Sequence, residues 1–555
     1  MTDSALVGVW PLSPLQEGLL FHAVYDEEGI DVYVEQMISG LEGKLDSAVL
    51  RASWQALLDR HESLRAGFQR RASGAPVQLV MRRVTLPWRE VDLSGLDADA
   101  ARAESERLGV EERERRFDLA VPPLLKVLLV RVGPDQYRMM VTLHHILLDG
   151  WSLPVLMREL WACYEAGGSA RGLPPVTPYR EYLAWLARQN KEEAMAAWRK
   201  ALAGADEPTL VAPAEYNGAP AHSAMVSGRA SKELDQALRH LTRRFQGLTL
   251  NTVVQAAWAL VVGTLTGRRD VVFGASVAGR PLDLPGMESM LGLFINTVPV
   301  RVRFDPARPV AEMLTELQAE QAALVDYQYL SLSDIQRQAG PGATFDTIMA
   351  FESFPSGTNA RKPSGDEQTG EGVDRRGPGG LEFTEHGLRE SINYPLGLVV
   401  GPSGGLGMRL SYRPDLFDEE TAQGLLDQVL RVLGQMADEP QTLVGRLDVV
   451  GEVERSRVVA EWNATEVALG GGSVVERIEG WVAAAPDVVA VRCGGEALSY
   501  GELDRWANRL ARLLTGVGVG AESRVALCLP RSVEMVVAEL AVWKAGGAFV
   551  PLDPE

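Results

Sequence analysis

Residues 141–152 read Val141-Thr142-Leu143-His144-His145-Ile146-Leu147-Leu148-Asp149-Gly150-Trp151-Ser152, and no other stretch concentrates so much possible chemistry. Two of the chain's seven histidines end an apolar run, and an Asp-Gly turn follows four residues after the second. A neutral imidazole exchanges a proton near neutral pH. Apolar walls strengthen any hydrogen bond it makes to a reacting group. His144, His145 and Asp149 are therefore the first candidates for catalysis. Working outward, residues 124–132 are strand-like, Gly133-Pro134-Asp135 supplies turn chemistry, and residues 137–145 return as a second strand. Neighbouring strand residues face opposite ways, which argues against one shared role for the two histidines.

The totals bound the class. A chain of 555 residues holds several domains, since single cores rarely grow past about 250–300 residues. Its 46% hydrophobic and 23% charged content place it among ordinary globular proteins. A net charge of −19 argues against nucleic acid or an anionic membrane as partner. No apolar run reaches transmembrane length, and Met1-Thr2-Asp3-Ser4 lacks the pattern of a signal peptide. Cys163, Cys493 and Cys528 are too few for a disulfide framework or a cysteine zinc site and fit a reducing cytoplasm. The remaining histidines, His22, His61, His222, His240 and His386, show no ligand spacing, so no metal is expected.

Apolar periodicity predicts helices over residues 45–68, 153–166 and 179–202. From about residue 207 the cycle begins again, with helices predicted at 231–246, 250–266 and 309–325. Strands are predicted at 271–277, leading into Gly279-Arg280-Pro281, and at 293–302. This reads as two α/β lobes of similar size. Residues 356–381 have almost no apolar side chains and are expected to form a mobile loop. A composition shift over 451–472, ending in Gly470-Gly471-Gly472, reads as an interdomain linker.

Six motifs in order resemble the condensation domains of nonribosomal peptide synthetases. They are Trp10-Pro11-Leu12-Ser13-Pro14-Leu15-Gln16-Glu17-Gly18, Arg60-His61-Glu62-Ser63-Leu64-Arg65, the His144–Ser152 segment, Tyr179-Arg180-Glu181-Tyr182-Leu183-Ala184-Trp185, Gly292-Leu293-Phe294-Ile295-Asn296-Thr297-Val298-Pro299 and Arg389-Glu390-Ser391-Ile392-Asn393-Tyr394-Pro395-Leu396. Leu498-Ser499-Tyr500-Gly501-Glu502-Leu503 and the 543–553 segment resemble the opening of an adenylation domain. The resemblance implies an α/β fold of two chloramphenicol-acetyltransferase-like lobes in a V-shaped pseudo-dimer, residues 1–175 and 176–450. A linker at 451–472 and a truncated adenylation start at 473–555 follow. The phosphate loop and catalytic lysine of adenylation domains are expected beyond Glu555.

The implied reaction forms an amide: the amine of an acceptor aminoacyl thioester attacks the carbonyl of a donor thioester. Both substrates arrive on the 4'-phosphopantetheine of carrier proteins, with no cofactor bound intrinsically. The expected partners are an upstream donor carrier, on another polypeptide after an epimerisation domain, a downstream acceptor carrier, and the adenylation domain in cis. The resemblance makes His145 the central catalytic residue, either accepting the amine proton or orienting the amine and stabilising the tetrahedral state. It assigns His144 to structure and pairs Asp149 with an arginine, for which Arg280 is the candidate. Gly150 lets the substrate approach the backbone, and its N–H is a candidate oxyanion donor. Asn296, among apolar residues, is expected to hydrogen-bond across the lobes. The opening motif and the 144–151 motif look most like the subtype that takes a D-configured donor. An epimerisation domain shares the His-His-x-x-x-Asp-Gly pattern, and a silent docking module is the alternative from another class; the intact motif and the following adenylation start favour condensation.

Overall fold

The hairpin that carries the histidines forms where the alternation predicts it. Strands Leu125–Gly133 and Gln136–His144 pair antiparallel, with Leu143 opposite Leu125. On its other side Gln136–His144 pairs with Val34–Glu42, placing His144 opposite Val34 and Leu143 opposite Glu35. The histidine strand is thus interior to its sheet and its last seven residues are buried. The computed structural model describes residues 5–25, 30–214, 216, 221–281, 283–352, 380–402, 405–468 and 470–554, in two units, Met1–Glu452 and Val453–Glu555.

Helices Ser47–Arg60 and Ser152–Glu165 cover one face of this first sheet through Leu50, Trp54, Leu57, Leu156 and Leu160, all fully buried. The first of these helices ends at Arg60 rather than running to residue 68. Arg65 turns back, donating from Nη1 to the Leu58 and Asp59 carbonyls at 2.6 and 2.5 Å, and so satisfies the orphan acceptors of the last turn. Residues 62–65 then form a 3-10 turn and Ala66–Arg70 a strand. The predicted 179–202 helix is two, Tyr179–Ala187 and Lys191–Ala201. Asn190 restarts the second by accepting the Glu193 N–H at 3.2 Å.

The second lobe is built on six strands in the order Asn296–Arg303, Asp270–Val277, Thr347–Phe351, Leu396–Pro402, Leu406–Tyr412 and Ala224–Arg229. Helices Leu250–Thr266 and Glu419–Asp438 share a core with it through Val253, Trp258, Val261, Leu426 and Val429. The division of the chain at residue 176 does not extend to Glu382–Arg389. This strand pairs antiparallel with Val34–Glu42, Leu388 opposite Met37, and completes the first lobe's sheet as its edge. Otherwise Val34–Glu42 would present a row of open N–H and C=O groups. The predicted loop at 356–381 lies outside the described residues except for Gly380 and Leu381, and Leu381 is fully buried in the first lobe's core. Leu291 and Leu293 enter that same core from the second half of the sequence.

The second unit contains helix Val474–Ala484, the hairpin Val489–Cys493 with Glu496–Ser499, and helix Tyr500–Gly516. Arg524–Leu527 and Ala548–Pro551 then pair in parallel across helix Val533–Lys544. Lys544 is held by Glu479 and Asp504 at 2.6 and 2.7 Å. Residues 452–461, inside the predicted linker, are helical.

Because Leu293 is a fully buried apolar side chain given by one lobe to the core of the other, Leu293→Ala should cost about 2–5 kcal/mol. Denaturant unfolding checks this, and the variant should lose helical and near-UV signals together.

Candidate active site

His144 lies at 0% exposure at the end of its strand. Its Nδ1 accepts the Ile146 N–H at 3.1 Å, and its Nε2 lies 3.2 Å from Asp31 Oδ2. Both ring nitrogens thus face inward, although Nε2 makes no well-directed hydrogen bond among the described residues. Burial pushes the Asp31 carboxyl up, but the neighbouring His144 ring, the Tyr33 N–H and the Arg116 charge outweigh it and hold the group below the ordinary range.

His145 begins the loop after the strand, and its side chain keeps 23% exposure. Its backbone N–H donates to the Tyr33 carbonyl at 2.8 Å. Its Nδ1 lies 2.9 Å from the Leu148 carbonyl. A carbonyl only accepts, so Nδ1 carries the hydrogen and Nε2 presents the lone pair of the neutral ring. Among the described residues Nε2 has no hydrogen-bond partner. Burial pulls the imidazole's proton affinity down, but the Glu35 charge, the Leu148 carbonyl, Glu390 and Asp149 together raise its pKa above the usual value.

Asp149 faces away from this chemistry. Its Oδ1 accepts from the Ser152 N–H at 2.9 Å and from Arg280 Nη2 at 3.1 Å, and its Oδ2 accepts from the Phe294 N–H at 3.2 Å. Its own N–H donates to the Gly292 carbonyl at 3.1 Å. Arg280 also donates to the carbonyls of Met287 and Met290 and to Ser152 Oγ, at 2.6, 3.2 and 3.1 Å, and its guanidinium lies 4.0 Å from the Phe294 ring centroid. Ser152 Oγ sits 2.8 Å from Asp149 Oδ1 and 2.9 Å from the Gly292 carbonyl. The backbone before Arg280 admits only glycine: Gly279 has φ +59°, and a Cβ there would lie 1.8 Å from the Phe294 carbonyl oxygen.

Gly150 follows Asp149, half-buried, and its N–H makes no backbone hydrogen bond among the described residues. Asn296 departs from expectation. It does not bridge the lobes; its Nδ2 donates to the carbonyls of Gln328 and Leu330 at 2.8 and 2.7 Å, both in the second half of the chain. The two amide hydrogens match two carbonyls left over where a 3-10 turn ends.

The model of the condensation domain matches residues 7–459. The chain belongs to the condensation-domain family. The AMP-binding enzyme model matches residues 478–555. A linear gramicidin synthase polypeptide of Brevibacillus parabrevis is 38% identical over 564 residues, covering 100% of this chain and 7% of that protein. Surfactin synthase subunit 3 of Bacillus subtilis (strain 168) is 31% identical, with 98% of this chain and 42% of that protein covered. The chain thus spans a small part of the gramicidin synthase polypeptide and less than half of the surfactin one. A solved four-domain nonribosomal peptide synthetase aligns with TM-score 0.74 at 20% identity, covering 99% of this chain and 42% of its own. The first condensation domain of the calcium-dependent antibiotic synthetase aligns with TM-score 0.63 at 20% identity, covering 80% and 100%. The condensation domain here has the two-lobed, chloramphenicol-acetyltransferase-like fold.

Other motifs of this condensation domain supply scaffolding. Gln16 donates to the Ile146 carbonyl at 3.1 Å, and Tyr179 Oη donates to the Leu293 carbonyl at 2.6 Å. Tyr182 and Tyr179 pack edge-on against Phe294. His61 Nε2 and Arg60 Nε hold Glu159 at 2.7 and 2.9 Å. One ionisable neighbour escaped the sequence reading: Glu35, whose Oε1 lies 3.6 Å from His145 Nδ1. Burial pushes its carboxyl up to about 7, against the His145 charge and with help from Glu390 and Asp149. No local pattern marked it, because its place on the apolar face comes from its long-range register opposite Leu143.

Removing Arg280 strands a fully buried carboxylate. Arg280→Ala should therefore destabilise the fold by about 3–5 kcal/mol in denaturant melts. Arg280→Lys should recover little, because an ammonium cannot span the four acceptors that the guanidinium reaches.

Proposed function

We propose that the Met1–Glu452 unit joins two carrier-bound thioesters. The α-amine of an acceptor aminoacyl thioester, on a downstream carrier protein, attacks the donor thioester carbonyl on an upstream carrier, and both substrates bring their own 4'-phosphopantetheine tether. The observation that carries this reading is the state of His145: Nδ1 is committed to the Leu148 carbonyl, while Nε2 has no partner among the described residues. An imidazole so placed can take a proton from an attacking amine. With an α-amino pKa of about 7.7–8.0, a useful fraction of the acceptor is already neutral and needs only a mild base.

His145 and Gly150 are the groups that meet the reactants in this reading, Gly150 offering its N–H to the developing oxyanion. His144, Asp149, Arg280 and Asn296 hold the loop and its supports. The C–N bond forms, the C–S bond breaks, and the amine proton travels through His145 Nε2 to the departing thiolate. The similarity to gramicidin and surfactin synthases supports peptide assembly as the setting, with the AMP-binding segment as the neighbouring domain in cis. A cytoplasmic location fits these substrates. The motif likeness favours a donor whose terminal residue is D-configured.

Carrier proteins loaded with donor and acceptor should yield dipeptide, read by mass spectrometry. His145→Ala should lower the rate by about 10²–10⁴-fold with carrier binding retained; an unchanged rate would contradict the assignment. Diastereomeric donors on the same upstream carrier should show the D form turned over faster, and a preference for the L form would reverse the stereochemical reading.

A further inference from the structure

Glu35 has no part in the scheme above, yet it stands behind its central group. Residues 33–35 grip His145 from two directions. The Tyr33 carbonyl takes its backbone N–H at 2.8 Å, and the Glu35 carboxylate lies 3.6 Å from Nδ1. The Nδ1 edge of the ring therefore faces a carbonyl and a carboxylate, whereas the Nε2 edge is the one left for a substrate. Glu35 is 8% exposed, and His145 is the basic group within ion-pairing distance of it among the described residues. The other charged groups acting on the imidazole are less direct. Asp149, on its own loop, is tied to Arg280 at 3.1 Å. Glu390, just past strand Glu382–Arg389, lies 3.6 Å from Arg409. Asp31 is taken by His144.

We propose that Glu35 is a positioning residue for amide formation, acting through His145 by placing a negative charge behind the Nδ1 edge and so stabilising the imidazolium that forms when Nε2 takes the acceptor's proton. This rests on the condensation reading. Glu35 acts in its ionised form, which burial confines to pH values from about 7 upward; it takes no proton in the step, which runs from amine to Nε2 to thiolate and so balances without it. A buried carboxylate beside an imidazole raises the ring's affinity for a proton, in keeping with the raised pKa of His145. The two groups titrate as a pair.

With Glu35 ionised, His145 stays protonated to a higher pH, so in Glu35→Gln its midpoint should fall by roughly one pH unit. The acid limb of kcat should move down with it, and the plateau rate should drop on the order of tenfold, with KM for the loaded acceptor carrier unchanged. Glu35→Asp should retain most of the raised midpoint. The experiment is a titration of the full chain carrying carbon-13-labelled histidine, the His145 resonance assigned with His145→Ala, alongside pH–rate profiles from loaded carriers. If Glu35→Gln melts near the assay temperature, Glu35→Met, which fills the apolar site, carries the same test. An unmoved His145 midpoint, or a midpoint that moves while the acid limb does not, would overturn the proposal. Failure of the parent chain to make dipeptide would instead sink the condensation reading, and the resonance shift, read without substrates, tells the two apart.

Discussion

The site depends on one buried ion pair, Asp149 with Arg280, whose side chains are 0% and 7% exposed. Removing two charges from water costs several kcal/mol per ion, so the pair's worth lies in the hydrogen bonds that surround it. Asp149 accepts from Ser152, Phe294 and Arg280, and Arg280 fills three further acceptors. Every partner belongs either to the loop after the histidine strand or to segments of the second half of the chain. The pair therefore specifies one loop conformation more than it stabilises the fold. That conformation brings the Leu148 carbonyl within 2.9 Å of His145 Nδ1.

Three residues within six positions divide the work by direction. His144 turns inward to Asp31 and the Ile146 N–H, and burial leaves it no route to a substrate. Asp149 turns to the other lobe. His145 alone keeps partial exposure, its ring held from the Nδ1 side. What resembles a cluster of acid–base groups in the linear sequence is one imidazole with two structural neighbours, and the acid closest to it is Glu35, 110 residues earlier in the chain.

Much of this was legible in the sequence, and the rest was hidden for physical reasons. The histidine hairpin, the helices over 250–266 and after residue 152, and the 271–277 strand follow from local periodicity. The stop at Arg60 depends on Arg65 reaching back to carbonyls a turn away, which no pattern of apolar residues encodes. Glu382–Arg389 joins the first lobe's sheet because an edge there needed a partner, a non-local fact. Asn296 sits in an apolar run, so its burial was readable, but its choice of the Gln328 and Leu330 carbonyls was not. Glu35 was hidden for the same reason, since its place beside His145 depends on the long-range register that sets it opposite Leu143.

In the proposed condensation reaction His145 Nε2 is the atom that meets the acceptor amine, while Asp149 only braces the loop. The most direct measurement is a structure of the chain with a non-hydrolysable acceptor analogue delivered on its carrier. The amine nitrogen should lie within about 2.6–3.2 Å of Nε2, with Asp149 still bound to Arg280 and out of reach of the substrate. An amine seated against Asp149, or one with no route to Nε2, would contradict it.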